Sequence, residues 1–197
     1  MKVARGSLFW AGKSPLALAS ASPRRVALLR QVGVAFTVVD PGPDRPWPDP
    51  AEPRHGVRAL ALDKARRVAT RCPGSVVVAA DTVVVVRGRR LGKPRDPEEA
   101  FEMLRLLHGR THEVWTGLAV LHEGERRTAA ECTRVQLARL EPRELEAYVE
   151  TGEPVDKAGA YAIQGLAAQF VKRIEGEYSN VVGLPLSRLR QVLREFA

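Results

Sequence analysis

The apolar positions of this chain fall into blocks that switch between a strand period and a helix period. Leu16 to Ala19 is a short apolar block that predicts a strand. SASPRRVALLRQVGV follows: Ser22 suits an N-cap, Pro23 the first helical position and Gly33 the stop, with Val26, Leu29 and Val32 as the stripe. From about His55 to Arg71, Val57, Leu60, Ala61, Lys64, Ala65 and Val68 recur at helical spacing, and Cys72-Pro73-Gly74 ends the run. Ala100, Met103, Leu104 and Leu107 mark another helix, opened by Asp96 as cap with Glu99 at the capping-box position, and closed by Gly109. Two long strands are predicted at about 111–122 and 126–139, joined at Glu123-Gly124, then a short helix at about 142–150. Gln169 to Ile174 reads as a strand and Pro185 to Phe196 as a closing helix. Pro41 to Pro53 is a loop stiffened by its prolines, and EPVDKAGAYAIQG reads as a second loop. Helices and strands alternate while hairpins are also present, so the pattern predicts an α/β fold with a mixed sheet.

One block breaks the periodicity. VVVAADTVVVV, Val76 to Val86, is apolar on both faces and predicts a central strand covered on both sides, with Gly88 turning a hairpin after it. Asp81 sits at its centre, and an ionised carboxylate buried there without a partner costs several kcal/mol. Three arrangements remove that cost: a cap where the strand breaks, a pair with a structural Arg or Lys, or a place in a cleft that holds a metal. Lys64 raises the mirror problem, because it stands inside an apolar helix stripe where a buried ammonium needs a partner or must snorkel to water.

Composition narrows the function classes. The 197 residues suffice for one large domain or two small lobes around a shared core. No apolar run reaches the length of a membrane span, and the N-terminus reads as mature protein, so no membrane association is expected. Cys72 and Cys132 stand alone without CxxC spacing, which fits a reducing cytoplasm and neither a disulfide framework nor a zinc site. The net charge of +8 suits an anionic partner. The basic residues are scattered and not interleaved with aromatics, so stable nucleic-acid binding is not expected, which leaves an acidic surface or a phosphorylated small molecule.

Four stretches carry candidate chemistry. In SASPRR, Ser20 to Arg25, a strand runs into a helix N-terminus, whose free N–H groups and dipole favour phosphate. Ser20 and Ser22 add hydroxyls, and Arg24 and Arg25 add planar forks; the alternative is a plain Ser-Pro cap with exposed arginines. GRRLGKP is not a P-loop, since its glycines are too close and Pro94 replaces the required Ser or Thr, but Lys93 remains a plausible cation. His108 and His112 lack the zinc-protease context and read as structural or surface residues. DKAGAYAIQG opens on the charged pair Asp156 and Lys157, allows close backbone approach through its small residues, and offers Gln164 as a reader of a base edge.

Taken in order, LASASPRRVALL, KARRVA, ADTVV, LGKP, DKAGAYAIQG and GEYSNVVGLPL resemble the Maf family of nucleotide pyrophosphatases over about residues 16–196. The resemblance implies a single domain over 1–197, with a long mixed sheet, flanking helices and two lobes around a central cleft, similar to inosine-triphosphate pyrophosphatases. It also implies cleavage of a nucleoside triphosphate to monophosphate and pyrophosphate with Mg²⁺ or Mn²⁺, in a homodimer. By position, Asp81 matches the family's acidic residue, as general base or metal ligand. Lys64 and Lys93 match further catalytic positions; Ser20, Ser22, Arg24 and Lys157 fall at phosphate- and site-lining ones. Arg25, Thr82 and Gln164 match the branch that acts on dTTP and UTP, as against 7-methyl-GTP. The family's usual glutamate after the first helix is missing; Asp44 is the nearest acidic match for a second metal ligand, with Asp40 and Glu52 as alternatives. A reading from another class is a non-catalytic nucleotide- or nucleic-acid-binding regulator of cell division.

Overall fold

A computed structural model describes residues 9–196. The first segment runs β1 (Leu16–Ala19), α1 (Pro23–Gln31), β2 (Phe36–Val39), α2 (Pro53–Ala69), β3 (Val76–Val86) and β4 (Arg89–Leu91). Next come α3 (Pro97–Leu107), β5 (Thr111–His122), β6 (Glu125–Leu137) and α4 (Pro142–Glu150). Short 3-10 turns at Glu153–Asp156, Ala158–Ala160 and Leu166–Phe170 lead to β7 (Val171–Glu175), α5 (Tyr178–Val182) and α6 (Leu186–Leu193). The seven strands form one sheet in the order β2-β1-β3-β5-β6-β7, with β4 paired to β3 off that path. β1 runs parallel to β2 and β3, whereas β3–β4 and β6–β7 are antiparallel, so the sheet is mixed as expected.

The residues group into two compact units. One holds the described residues up to Asp81, Thr116–Glu131 and those from Gly183 onward; the other holds Thr82–Trp115 and Cys132–Val182.

In the first unit the core is built from small side chains. Ala61, Ala65 and Val68 of α2 pack with Ala17 and Ala19 of β1, Val77 and Ala79 of β3, and Ala119 of β5. Alanines on both sides let the helix axis approach the sheet closely. Gly117 of β5 takes this furthest: a Cβ there would overlap the backbone carbonyl of Val57 and lie 2.6 Å from the Arg58 nitrogen. β3 is buried at both ends and half-buried only at Asp81 and Thr82, which fits its place between β1 and β5.

In the second unit α3 buries Ala100, Met103, Leu104 and Leu107, the stripe its spacing predicts, and packs against α4 and the Ala158–Ala160 turn. Asp96 caps it, accepting the Glu99 N–H at 2.7 Å, while Glu99 reaches past Asp96 to the Arg95 N–H, also at 2.7 Å. Arg87 and Gly88, with φ of 50° and 74°, make the two-residue turn between β3 and β4. Asn180, the chain's single asparagine, is fully buried and donates to the Val114 carbonyl at 2.9 Å and to Thr133 Oγ1 at 3.0 Å.

Several boundaries differ from the sequence pattern. β2 was not legible, because FTVV is only four residues long, does not alternate and has no fully buried position. α5 has only five residues. EPVDKAGAYAIQG contains two 3-10 turns, and a third over Leu166–Phe170 delays β7 to Val171. The closing helix ends its α-helical part at Leu193 and finishes as a 3-10 turn. α1 buries Leu28 and Leu29, leaving Val26 and Val32 half-buried.

Because the atoms facing Gly117 are backbone, they cannot rotate away. Gly117→Ala should lower the unfolding free energy by about 1–3 kcal/mol, read by urea denaturation, as overpacking does elsewhere. An unchanged midpoint would mean that the helix–sheet spacing is not set there.

Candidate functional site

The helix start comes first in the chain. Ser20 leaves β1 buried, its N–H placed between the carbonyls of Leu18 and Val39 at 3.1 and 3.2 Å. Its hydroxyl accepts the N–H of Ser22 at 3.1 Å. Ser22 has the extended backbone of an N-cap, but its side chain makes no capping bond. Pro23 occupies the first helical position, and no acidic residue lies in the first turn of α1. Arg24 and Arg25 are half-buried, and Arg25 Nε donates to the Gly183 carbonyl at 2.7 Å. Burial pushes the Arg25 guanidinium below its ordinary pKa; Asp81 opposes this, Arg24 adds to it, and Asp44 opposes it. Arg25 therefore lies in the field of both carboxylates.

The charge problem of the valine strand is resolved by α2. Lys64 is 7% exposed on the alanine face of the helix. Its Nζ donates to Asp81 Oδ1 at 2.6 Å and meets Asp44 Oδ1 at 2.7 Å. The side chain of Asp81 is 14% exposed and that of Asp44 54%, so one ammonium joins a strand carboxylate to a more solvated loop carboxylate. Asp81 is paired with Lys64, one of the three arrangements open from sequence. Of the three acidic candidates, Asp44 is the one that reaches Lys64; Asp40 Oδ1 accepts the Gly42 N–H at 2.8 Å, and Glu52 is the N-cap of α2.

Asp44 owes its position to residues that sequence reasoning passed over. Arg67, one helical turn beyond Lys64, donates to the carbonyls of Pro41 at 2.5 Å and Pro43 at 3.0 Å. Arg71 donates to the Asp40 carbonyl at 2.5 Å. Trp47 lays its ring over Gly56 of α2, where a Cβ would overlap it, and donates Nε1–H to the Ala51 carbonyl at 3.1 Å. The proline loop is thus pinned to the helix that carries Lys64. In KARRVA a helical arginine looks solvated, so only the density of prolines facing it was a signal.

The remaining candidates belong to the second unit. Thr82 follows Asp81 along β3 and is half-buried. Lys93 is exposed in the turn after β4, two residues from Leu91. Lys157 is half-buried and ion-paired with Asp156. Gly159 donates its N–H to the Gly92 carbonyl at 2.9 Å, which ties the Lys157 turn to the Lys93 turn. Gln164 is exposed. His112 is buried, with Nε2 2.8 Å from the Tyr161 hydroxyl, and Leu140 donates to His108 Nδ1 at 3.4 Å; both histidines are structural. Cys72 and Cys132 are free thiols. No helix among the described residues is long and apolar enough to cross a membrane.

The resemblance was read from six motifs in order along the chain, among them ADTVV with Asp81, KARRVA with Lys64 and the glycine- and alanine-rich DKAGAYAIQG. Comparison with known proteins bears it out: residues 15–196 match the family described as Maf-like protein. The chain belongs to that family. The Maf-like relatives include the dTTP/UTP pyrophosphatase of Symbiobacterium thermophilum, 52% identical over 181 residues, covering 92% of this chain and 93% of the relative. A dTTP/UTP pyrophosphatase of Gloeobacter violaceus is 50% identical over 92% of this chain and 95% of its own. The structure of the Staphylococcus aureus Ham1 protein shares the fold, with a TM-score of 0.52 over 93% of this chain and 100% of that one, at 14% identity.

Two predictions follow from these contacts. Lys64→Met leaves Asp81 without its partner and should cost about 3 kcal/mol in urea unfolding, the scale of a broken buried pair. Adding Asp81→Asn should recover part of this, a coupling of about 1–3 kcal/mol; strictly additive effects would contradict the pairing. Burial lowers His112 from 6.5 to about 4. The unfolded chain then binds the proton more readily than the folded one, so stability present above the unfolded value is lost as pH falls toward the folded value. Between pH 7.5 and 5 the loss from this group is about 2 kcal/mol. His112→Phe should flatten that limb, and an unchanged acid limb would contradict the assignment.

Proposed function

We propose that this Maf-like protein is a house-cleaning nucleoside triphosphate pyrophosphatase that hydrolyses dTTP and UTP to the monophosphate and pyrophosphate. The observation that carries the reading is the Lys64 ammonium shared by Asp81 and Asp44, with Arg25 in the field of both carboxylates. Relatives that bear the name dTTP/UTP pyrophosphatase at about half identity, over more than nine-tenths of the chain, supply the substrate.

The residues present fit a hard divalent cation. Asp81 and Asp44 converge on one cation already, and ionised carboxylates are the oxygen donors that such an ion takes. One or two carboxylates together with substrate phosphates is the usual protein provision for Mg²⁺, and oxygen donors suit Mn²⁺ as well. When bound, such an ion supplies charge neutralisation at the phosphates and a more acidic water.

The chain's own residues divide the remaining work. The α1 N-terminus, the Ser20 and Ser22 hydroxyls and Arg24 offer donors to phosphate oxygens. Arg25 adds a guanidinium held by the Gly183 carbonyl. Asp81 is the carboxylate that accepts the proton of the attacking water, and Lys64 fixes its orientation and offsets its desolvation. As the α–β anhydride breaks, negative charge builds on the leaving pyrophosphate, and Arg24, Lys64 and Lys93 are the cations assigned to balance it, with Lys157 as a further phosphate-binding candidate. Thr82 and Gln164 are assigned to the base and its neighbourhood. A homodimer in the cytoplasm belongs to the same reading.

A panel of triphosphates, assayed with Mg²⁺ and with a chelator, tests it. dTTP and UTP should give the highest kcat/KM, pyrophosphate should be the released product, and the chelator should abolish turnover. Orthophosphate as product, equal rates on every base, or full activity in the chelator would contradict the respective part of the reading.

A further inference from the structure

The segment that carries Gln164 buries Tyr161, Ala162 and Ile163 on its upstream side, while Gln164 itself is exposed and Gly165 offers no side chain to pack. Ala160 keeps a φ of 59°, unusual for a residue with a Cβ, directly after Gly159 at 72°. Polar groups from the framework tie it down on both flanks. Upstream, Tyr161 sets its hydroxyl 2.8 Å from His112 Nε2 on β5, with the rings edge to face at 5.3 Å. Beside it, the Ala162 N–H donates to the Tyr148 hydroxyl of α4 at 3.2 Å. Tyr148 in turn donates to Glu153 Oε1 at 2.7 Å. Downstream, Glu153 accepts the Leu166 N–H through Oε2 at 2.9 Å and the Ala167 N–H through Oε1 at 3.3 Å.

One carboxylate and one phenol therefore bracket Gln164, with bonds two residues before it and two and three residues after it. Gly165 closes the bracket, since a Cβ there would overlap the Glu153 carboxylate. Burial holds the Tyr148 hydroxyl well above its ordinary pKa, so it stays a donor. Burial alone would raise Glu153; the Leu166 N–H, the Tyr148 hydroxyl, the Ala167 N–H and the Lys157 charge outweigh it and bring the carboxyl below its usual range. At neutral pH the bracket is thus an ionised acceptor with three donors.

We propose that Glu153 and Tyr148 are positioning residues for base discrimination: they fix the backbone on both sides of Gln164, so that its exposed amide is presented to the nucleobase in one orientation. This rests on the reading above that Gln164 meets the base. Neither residue touches substrate in this proposal, and their effect passes through Gln164.

The test measures kcat and KM separately for dTTP and CTP, two pyrimidine triphosphates that differ at the edge an amide reads, for the full chain and four variants. Gln164→Ala establishes how much discrimination the amide carries. Tyr148→Phe removes one hydroxyl at constant ring volume, and Glu153→Gln places an N–H donor against the Leu166 N–H. Each should lower the dTTP-to-CTP ratio of kcat/KM roughly three- to tenfold, the scale of one or two lost hydrogen bonds. The change should lie in the KM for dTTP, with kcat held within about twofold. Glu153→Gln combined with Gln164→Ala should be no worse than Gln164→Ala alone, which a purely structural role for Glu153 would not give. If Gln164→Ala loses discrimination while Tyr148→Phe and Glu153→Gln keep it, the positioning role is overturned and the reading of Gln164 stands. Retained discrimination in Gln164→Ala overturns both. Thermal unfolding of each variant is measured alongside; if Glu153→Gln does not fold, Tyr148→Phe decides.

Discussion

A carboxylate in the middle of a buried valine strand is tolerable only if a cation is delivered to it. In this chain the cation comes from Lys64, itself 7% exposed and bonded to Asp81 at 2.6 Å. Neither charge is affordable alone, because each unpaired group would carry the full cost of desolvation. The pair therefore dictates much of what surrounds it. α2 has to come close to the sheet, which explains the alanines of β1, β3, β5 and α2 and the bare backbone contact at Gly117. Larger residues at those positions would move Lys64 away from β3 and leave both charges stranded.

The same lysine links the strand to the proline loop through Asp44. Prolines limit the loop's freedom but donate no backbone hydrogen bonds, so its carbonyls need external donors. Arg67 supplies them from the last turn of the same helix, and Arg71, just past the helix end, serves the Asp40 carbonyl before the prolines. α2 thus carries the central cation and the groups that hold the loop carboxylate against it. The second unit solves a related problem differently. A turn rich in glycine and alanine is shaped by Tyr148 of α4, His112 of β5 and Glu153 of the 3-10 turn at its own start.

Much of this could be read in the chain beforehand. The eleven-residue strand, the α2 stripe with Lys64 inside it and the α3 stripe all follow from periodicity, because each buries a regular face. The two long strands with their Glu123-Gly124 turn were equally plain, since both turn residues take positive φ. What could not be read is contact between polar groups distant in sequence. Lys64 visibly needed a partner, but nothing in the pattern said that Asp44 would share it. Arg67 reads as a solvated helical residue until the proline carbonyls are seen in front of it, and Glu153 reads as a loop acid until its bonds to Leu166 and Ala167 appear. Ser22 shows the converse: a sound N-cap by sequence, it holds that position with its backbone while its side chain makes no capping bond.

The central claim is that Asp81 acts in the chemical step and that Lys64 makes its placement possible. Single-turnover hydrolysis of dTTP by Asp81→Asn, with nucleotide affinity measured separately on the same variant, tests it most directly. The account predicts a chemical step slowed by at least about 100-fold, the low end for loss of a general base, with the fold intact and dTTP still bound. A variant that binds and cleaves dTTP at the wild-type single-turnover rate would contradict it.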